Sequence, residues 1–492
     1  MLRDTAARNF PMSLLTTAVA RCRAAQPAWA ARAVSDRLRL VREFRYLLVE
    51  RADALTAAVA ADIDRPPTEV VASELLPTAS ACKFLWQTAT RTLRPKRIGW
   101  RPLWLTGCRD TVHRRPHGVV GLIGTWNYPV FLNAVPILHA LTAGNAVAWK
   151  PSELAPRTAE VLGELFRAAG VPEDVLTRLP ATREAGPELT EADIDFLHFT
   201  GSDTVGRKLA TRLGERLIPS ALELSGCDAV YVLKDANVPL AARAAWYGAT
   251  LNRGQTCIAS RRAFVHRSVY DQFVDVLKTL VEAESPMKLV TPGQVEKARH
   301  LLADCEAPIL SGAACAVGPR DLTPAVVLDP PANAPIRTAA TFAPLLAVIP
   351  FDDLDAAVLA DHRCPFGLAA AAFTADPAAA DALAARLPVG MVTVNDVIAP
   401  TAHPETPFGG RRASGWGVTQ GTDGLLQMTV PQVVTHRKGA FRPHVESALT
   451  ADPSADATVR GMLRFTHART LWGRFRGFWQ MVGGFRRYGK GK

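Results

Sequence analysis

From His117 onward the sequence alternates short, wholly apolar runs with longer stretches whose apolar residues recur every three or four positions. Few folds accommodate that rhythm. Gly118-Val119-Val120-Gly121-Leu122-Ile123-Gly124 is the first run, and residues 129–143 after it have helical character. Ala146-Val147-Ala148-Trp149 precedes a helix over 158–169. Ile194 to Phe199 precedes a glycine-rich turn and a helix over 203–214. The pattern resumes with a strand over 229–233, a helix over 236–252, and strands over 262–266 and near 345–350, 369–373 and 390–394. Strands that are apolar on both faces need cover on both, so their alternation with helices predicts βαβ units and parallel sheets. The expected fold class is α/β, with two doubly wound domains in tandem.

The rest of the chain fits around that frame. Its 492 residues exceed what one compact core holds, and 48% apolar with 21% charged residues excludes wholesale disorder. The first ninety residues read as a helical layer, with Ser35 as an N-cap ahead of Leu40, Phe44, Leu47 and Leu48. Residues 93–112 mix Pro, Trp and basic residues without helical period and read as an extended excursion. No apolar run reaches the ~18 residues of a membrane span, and the N-terminus, with Asp4, lacks a signal-peptide stretch. A cytoplasmic location is the expectation. The eight cysteines are scattered without metal-ligand spacing, so no metal is expected and one thiol at most is chemical. The net charge of +11 is concentrated at the end, where residues from Arg460 on hold nine Lys or Arg and no acid. The body is near neutral, which argues against nucleic acid as a partner.

Four segments carry chemistry-bearing side chains. In Asn252-Arg253-Gly254-Gln255-Thr256-Cys257 a cysteine follows a turn and precedes a strand. It reads either as a nucleophile or as inert core. Glu223, in Leu222-Glu223-Leu224-Ser225-Gly226, follows a helix and precedes a strand. Buried, it suits general-base work; at a strand edge, it is only a surface carboxylate. Gly124-Thr125-Trp126-Asn127-Tyr128-Pro129 ends the first strand, where an Asn can donate to an oxyanion or merely shape the turn before Pro129. Lys150-Pro151-Ser152-Glu153 and Phe199-Thr200-Gly201-Ser202 through Gly206 end the next two strands. Such ends, with a helix N-terminus behind them, suit a nucleotide.

In this order and at these separations the segments resemble the aldehyde dehydrogenase superfamily over about residues 15–437. Pro407-Phe408-Gly409-Gly410 through Gly417, Phe366-Gly367-Leu368 and Val394-Asn395 also resemble family segments. The resemblance implies a Rossmann-like cofactor domain, a catalytic thiol domain and a small oligomerisation strand segment. It implies NAD(P)-dependent oxidation of an aldehyde to the acid, with Cys257 as nucleophile, Asn127 as oxyanion donor and Glu223 as the base that hydrolyses the thioester. Lys150, Ser152, Glu153, Thr125, Trp126, Thr200, Gly201, Ser202, Gly206 and Phe342 would hold the cofactor. Glu153 favours NAD, with NADP as the alternative. The motif around Asn127 is similar to that of the fatty and aromatic aldehyde branch, which suggests a hydrophobic, lipid-derived or aromatic substrate. A homodimer or homotetramer is implied, joined through 93–112 and 424–439. The implied divisions are 1–92 (helical layer), 113–222 (cofactor part), 223–423 (catalytic domain), 440–458 (linker) and 459–492 (tail).

The sequence also departs from the family. Ala340-Thr341-Phe342-Ala343-Pro344 stands where Glu-x-Phe-Gly-Pro is usual, so the carboxylate for the nicotinamide ribose is missing. Ser225 and Cys227 replace Gly and Lys, and His362 replaces Asn. An alternative is therefore a catalytically impaired, membrane-associated binding protein. The tail carries Leu471, Trp472, Phe475, Phe478, Trp479 and Val482 at helical spacing among arginines. It reads as a membrane-interface helix, a segment packed on a partner subunit, or a disordered basic end. Its glycines count against the helix.

Overall fold

Five parallel strands form the first sheet, in the spatial order Leu176–Arg178, Ala146–Lys150, Val119–Ile123, Phe196–Thr200, Ser220–Glu223. The computed structural model describes residues 14–312, 318–439, 445 and 453–488. Every residue of Val119–Ile123 and Ala146–Lys150 is buried, as their apolar runs require. The strand order reverses beside Val119–Ile123, which places a switch point, and hence a ligand crevice, at the carboxyl ends of these strands. The helix Leu14–Ala31 covers one face, burying Leu15, Ala18, Val19 and Cys22 in a cluster with Val119, Ala146 and Ala148. Ser35 does not cap the next helix. That helix begins at Val34, so Ser35 lies within its first turn.

The second sheet has seven strands, in the order Ile309–Ser311, Ala325–Leu328, Leu345–Phe351, Ser260–His266, Asp228–Val232, Ala369–Phe373, Met391–Val394. The first pair is antiparallel and the rest are parallel. Alternate residues serve alternate faces. Val230, Val232, Val265 and Val348 pack with Trp246, Phe273 and Leu277. Tyr231, Phe264 and Ile349 pack with Val358 and Leu383 on the other side. Both sheets lie in one compact unit, residues 14–92 with 116–430. A physical reason is that Gly415–Trp416 adds antiparallel to the edge of the first sheet, Gly415 opposite Glu223.

Residues 93–115 with 431–488 form a second unit. The expected excursion is a strand there: Cys108–Pro116 lies between Lys96–Arg97 and Thr429–Arg437. Two helices, Pro453–His467 and Leu471–Tyr488, pack together as a hairpin. The expected linker over 440–458 is corrected at its end, because Pro453 opens a helix, a position proline tolerates well. Apart from residue 445, the linker ahead of Pro453 lies outside the described residues, as does Cys315.

Candidate active site

A cleft of about 580 Å³ opens at the carboxyl ends of the first sheet. Thr125, Asn127, Thr200, Gly201, Glu223, Cys257 and Phe342 all line it. Phe131, Leu132, Val135, Pro136, Leu224, Leu368 and Phe408 complete apolar walls, and no Lys or Arg is among the lining residues. Seven described cysteines are free thiols; six are buried, and Cys257 alone keeps partial exposure. That difference separates a candidate nucleophile from core.

The Cys257 loop is held in an unusual backbone. Asn252, Arg253 and Gly254 are consecutive left-handed residues, with φ of 51°, 57° and 71°. Two non-glycine residues in that region are strained, and strain of this kind persists only where surroundings over-determine it. Here they do. Asn252 Nδ2 donates to the carbonyl of Asn127 at 3.0 Å, and Gln255 Nε2 donates to the carbonyl of Asn252 at 3.1 Å. Gln255 Oε1 accepts from Val290 N at 3.0 Å. The buried Arg261 guanidinium donates to the carbonyls of Gly254 and Ala343 and so ties the loop to residues 340–344. A Cβ on Gly254 would run into the Ala343 carbonyl, so only glycine permits this approach.

Asn127 is as tightly placed. Its Oδ1 accepts from Thr125 Oγ1 at 2.8 Å and its Nδ2 donates to the carbonyl of Gln255 at 3.1 Å. An amide nitrogen carries two protons, so one is left to face the cleft. Beneath the loop lies an ion pair that the sequence did not disclose. Arg65 Nη1 meets Glu74 Oε1 at 2.7 Å and also donates to the Asn127 carbonyl at 3.2 Å. Glu74 Oε2 accepts from the backbone of Val130 at 2.6 Å and Phe131 at 3.2 Å. Both side chains are fully buried. Burial lifts the Glu74 carboxyl to about 6, although Arg65 and the two backbone N–H groups oppose that rise. One signal was available: Glu74 stands four residues after the buried Val70, on an apolar helical face.

Glu223 was expected between a helix and a strand. Instead it is the last residue of a strand, Ser220–Glu223, too short to show a period. It lies opposite Thr200 on one side and Gly415 on the other. It is buried, neither carboxylate oxygen has a hydrogen-bond partner, and burial raises its pKa to about 8. The loop after it passes close to Cys257, since a Cβ on Gly226 would meet the Cys257 carbonyl. Burial first, then the charges of Asp228 and Glu223, push the Cys257 thiol up to about 12. His198, on the strand between, also faces the cleft. Burial holds it neutral, down to about 4, and its Nδ1 has no partner. Sequence reasoning passed over it as one polar residue in an apolar strand.

The remaining candidates lie at neighbouring strand ends. Lys150 Nζ sits 3.2 Å from Glu153 Oε2, and Arg183, not anticipated, sits 3.0 Å from Glu153 Oε1. Burial works against the Glu153 charge, but its own backbone N–H, Lys150 and Arg183 hold the carboxyl below its ordinary range. Ser152 Oγ accepts from Leu154 N at 3.2 Å. Ser202 caps the helix Asp203–Glu215, accepting from Val205 N at 3.3 Å. Gly206 packs closely within that helix's surroundings: a Cβ there would strike Leu224. Trp126 leans on Phe342, ring centroids 6.0 Å apart.

Residues 12–434 match the Aldehyde dehydrogenase family. The chain belongs to the aldehyde dehydrogenase family. A Methylomonas relative, 4,4'-diapolycopene aldehyde oxidase, is 32% identical over 86% of this chain and 82% of its own. An aldehyde dehydrogenase of Mycobacterium tuberculosis, solved with NAD+, superposes with a TM-score of 0.81 at 28% identity, covering 88% of this chain and 92% of that one. The NADP-dependent glyceraldehyde-3-phosphate dehydrogenase of Bacillus halodurans C-125, solved with NADP, superposes with a TM-score of 0.79 at 28% identity over 86% and 91%.

The dehydrogenase keeps its 340–344 segment in place despite the altered residues. Gln294 Nε2 donates to the Phe342 carbonyl at 3.2 Å and Lys297 Nζ to the Ala340 carbonyl at 2.8 Å. Backbone contacts therefore fix the segment, while position 340 offers no side-chain acceptor.

Proposed function

We propose that this dehydrogenase oxidises an apolar aldehyde to the carboxylic acid through a thioester on Cys257, using NAD. The observation that carries the reading is the cleft itself. It joins a partly exposed thiol to a buried, unpartnered carboxylate inside apolar walls. Walls without Lys or Arg favour an apolar chain over one with a second carboxylate, and the diapolycopene aldehyde in the Methylomonas relative's name agrees with that class.

Cys257 gives up its proton to solvent, and the thiolate sulfur adds to the carbonyl carbon. The carbonyl electron pair moves to oxygen, where Asn127 Nδ2 and the Cys257 backbone N–H stabilise it. The nicotinamide cofactor supplies the hydride acceptor for the oxidation. Glu223 then takes a proton from water, which attacks the thioester; the C–S bond breaks and the acid leaves. A carboxylate with a pKa near 8 is suited to gaining and losing protons near neutrality.

The strand ends fit a dinucleotide. Glu153 would accept the adenosine ribose hydroxyls beside Lys150 and Ser152, and the backbone N–H groups that open the helix Asp203–Glu215 would hold a pyrophosphate with Thr200, Gly201 and Ser202. Arg183 beside Glu153 keeps NADP as the alternative, because a guanidinium can take a 2′-phosphate. The exposed edge strand Thr429–Arg437, with Val430 and Val433 open to solvent, supports a homo-oligomer built by strand pairing.

The test is reduced-cofactor absorbance with NAD or NADP and aldehydes of rising chain length, with Cys257→Ser as control. Turnover that favours longer chains and vanishes in the variant is expected. Folded protein that turns over no aldehyde with either cofactor would overturn the proposal.

A further inference from the structure

We infer that the C-terminal helical hairpin, Pro453–His467 with Leu471–Tyr488, is a docking surface for an anionic phospholipid bilayer. Of the glycines expected to weaken this segment, Gly477 and Gly484 instead form its internal contact, together with Gly461. A Cβ on Gly461 would meet the Met481 backbone, one on Gly477 the Phe465 backbone, and one on Gly484 the Thr458 side chain and backbone. The two helices therefore meet backbone to backbone along one side, with Ala455, Thr458 and Met462 buried there.

That contact turns the large side chains outward. Trp472, Phe475 and Trp479 are 64%, 57% and 52% exposed, and they recur every three or four residues, on one face of the helix. Their rings form a row, with centroids 6.1 Å apart for Trp472–Phe475 and for Phe475–Trp479. Leu471 and Phe478 extend it. Arginines flank the row: Arg476 lies over the Trp472 ring at 5.6 Å, and Arg474, Arg486 and Arg487 are exposed. Across 453–488 seven arginines stand against one aspartate.

A row of exposed rings with a basic border fits a bilayer interface, where indoles settle at headgroup depth and guanidiniums meet lipid phosphates. Among the described residues no helix is long and apolar enough to cross a membrane, so the hairpin would lie on the surface. A second copy fits less well, because its arginine borders would repel. Nucleic acid would satisfy the arginines but leave Leu471 and the nearby Leu463, both exposed, uncovered. The inference does not rest on the chemistry at Cys257.

The experiment is flotation of the full-length protein with vesicles of phosphatidylcholine alone, or of phosphatidylcholine with phosphatidylglycerol, at low and high salt. Two variants are compared: Trp472→Ser/Phe475→Ser/Trp479→Ser, and Arg474→Glu/Arg476→Glu. Both change exposed side chains, and thermal unfolding of each confirms that the core is intact. Binding to anionic vesicles alone is expected, falling with salt, and weakened about tenfold or more in each variant. Folded protein that stays unbound overturns the inference. So does binding that both variants retain. A triple variant that changes only the solution mass would overturn it too, marking the face as a contact between copies.

Discussion

The loop that carries Cys257 and the segment it touches, residues 340–344, are held to different standards. The thiol loop is held by side-chain hydrogen bonds from Asn252, Gln255 and Arg261, and two non-glycine residues take left-handed backbone there. The 340–344 segment takes its hydrogen bonds through backbone carbonyls, from Arg261, Gln294 and Lys297, and shows the cleft Phe342 beside an alanine. The thiol end is built to hold reacting atoms. The other end is shaped correctly but lacks a charged grip on what it faces. The expected consequence is intact thioester chemistry with weak cofactor positioning.

The most severe way to break that comparison is Cys257→Ser. It should lower kcat by about a thousandfold or more, leaving cofactor affinity by calorimetry unchanged. Glu223→Gln should cost about a hundred- to ten-thousandfold in kcat. It should also remove a pH limb. Glu223 acts as carboxylate in hydrolysis, and burial raises its pKa to about 8, so wild-type kcat should climb as pH rises through 8 and level off above it. The variant should show no such inflection. Asn127→Ala should lower kcat by about a hundredfold, read from saturating turnover with KM little changed. The smallest effect sharpens the comparison from the other side. Ala340→Glu restores a ribose acceptor and should lower KM for NAD by about tenfold, the worth of one charged hydrogen bond. An unchanged KM would show that the segment's shape alone sufficed.

What was legible in the sequence followed from period and spacing. Fully buried strands such as Val119–Ile123 announce themselves by composition, and their ends locate the cleft. Short strands do not. Ser220–Glu223 has four residues, so Glu223 was assigned beside a strand when it terminates one. The Arg65–Glu74 pair was hidden because its partners, Asn127 and Val130, are more than fifty residues away. Arg183 was hidden likewise, thirty residues from Glu153. In the tail, glycine propensity counted against a helix; packing reversed that, since a second helix uses the absent side chains for close approach.

The central claim is tested most directly by trapping the acyl-enzyme. Glu223→Gln protein is mixed with a long-chain aldehyde and NAD, quenched in acid, digested and weighed by mass spectrometry. The account predicts an acyl group on the peptide holding Cys257, stable in the variant and fleeting in wild type. An acyl group on another residue, or none while reduced cofactor forms, would contradict it.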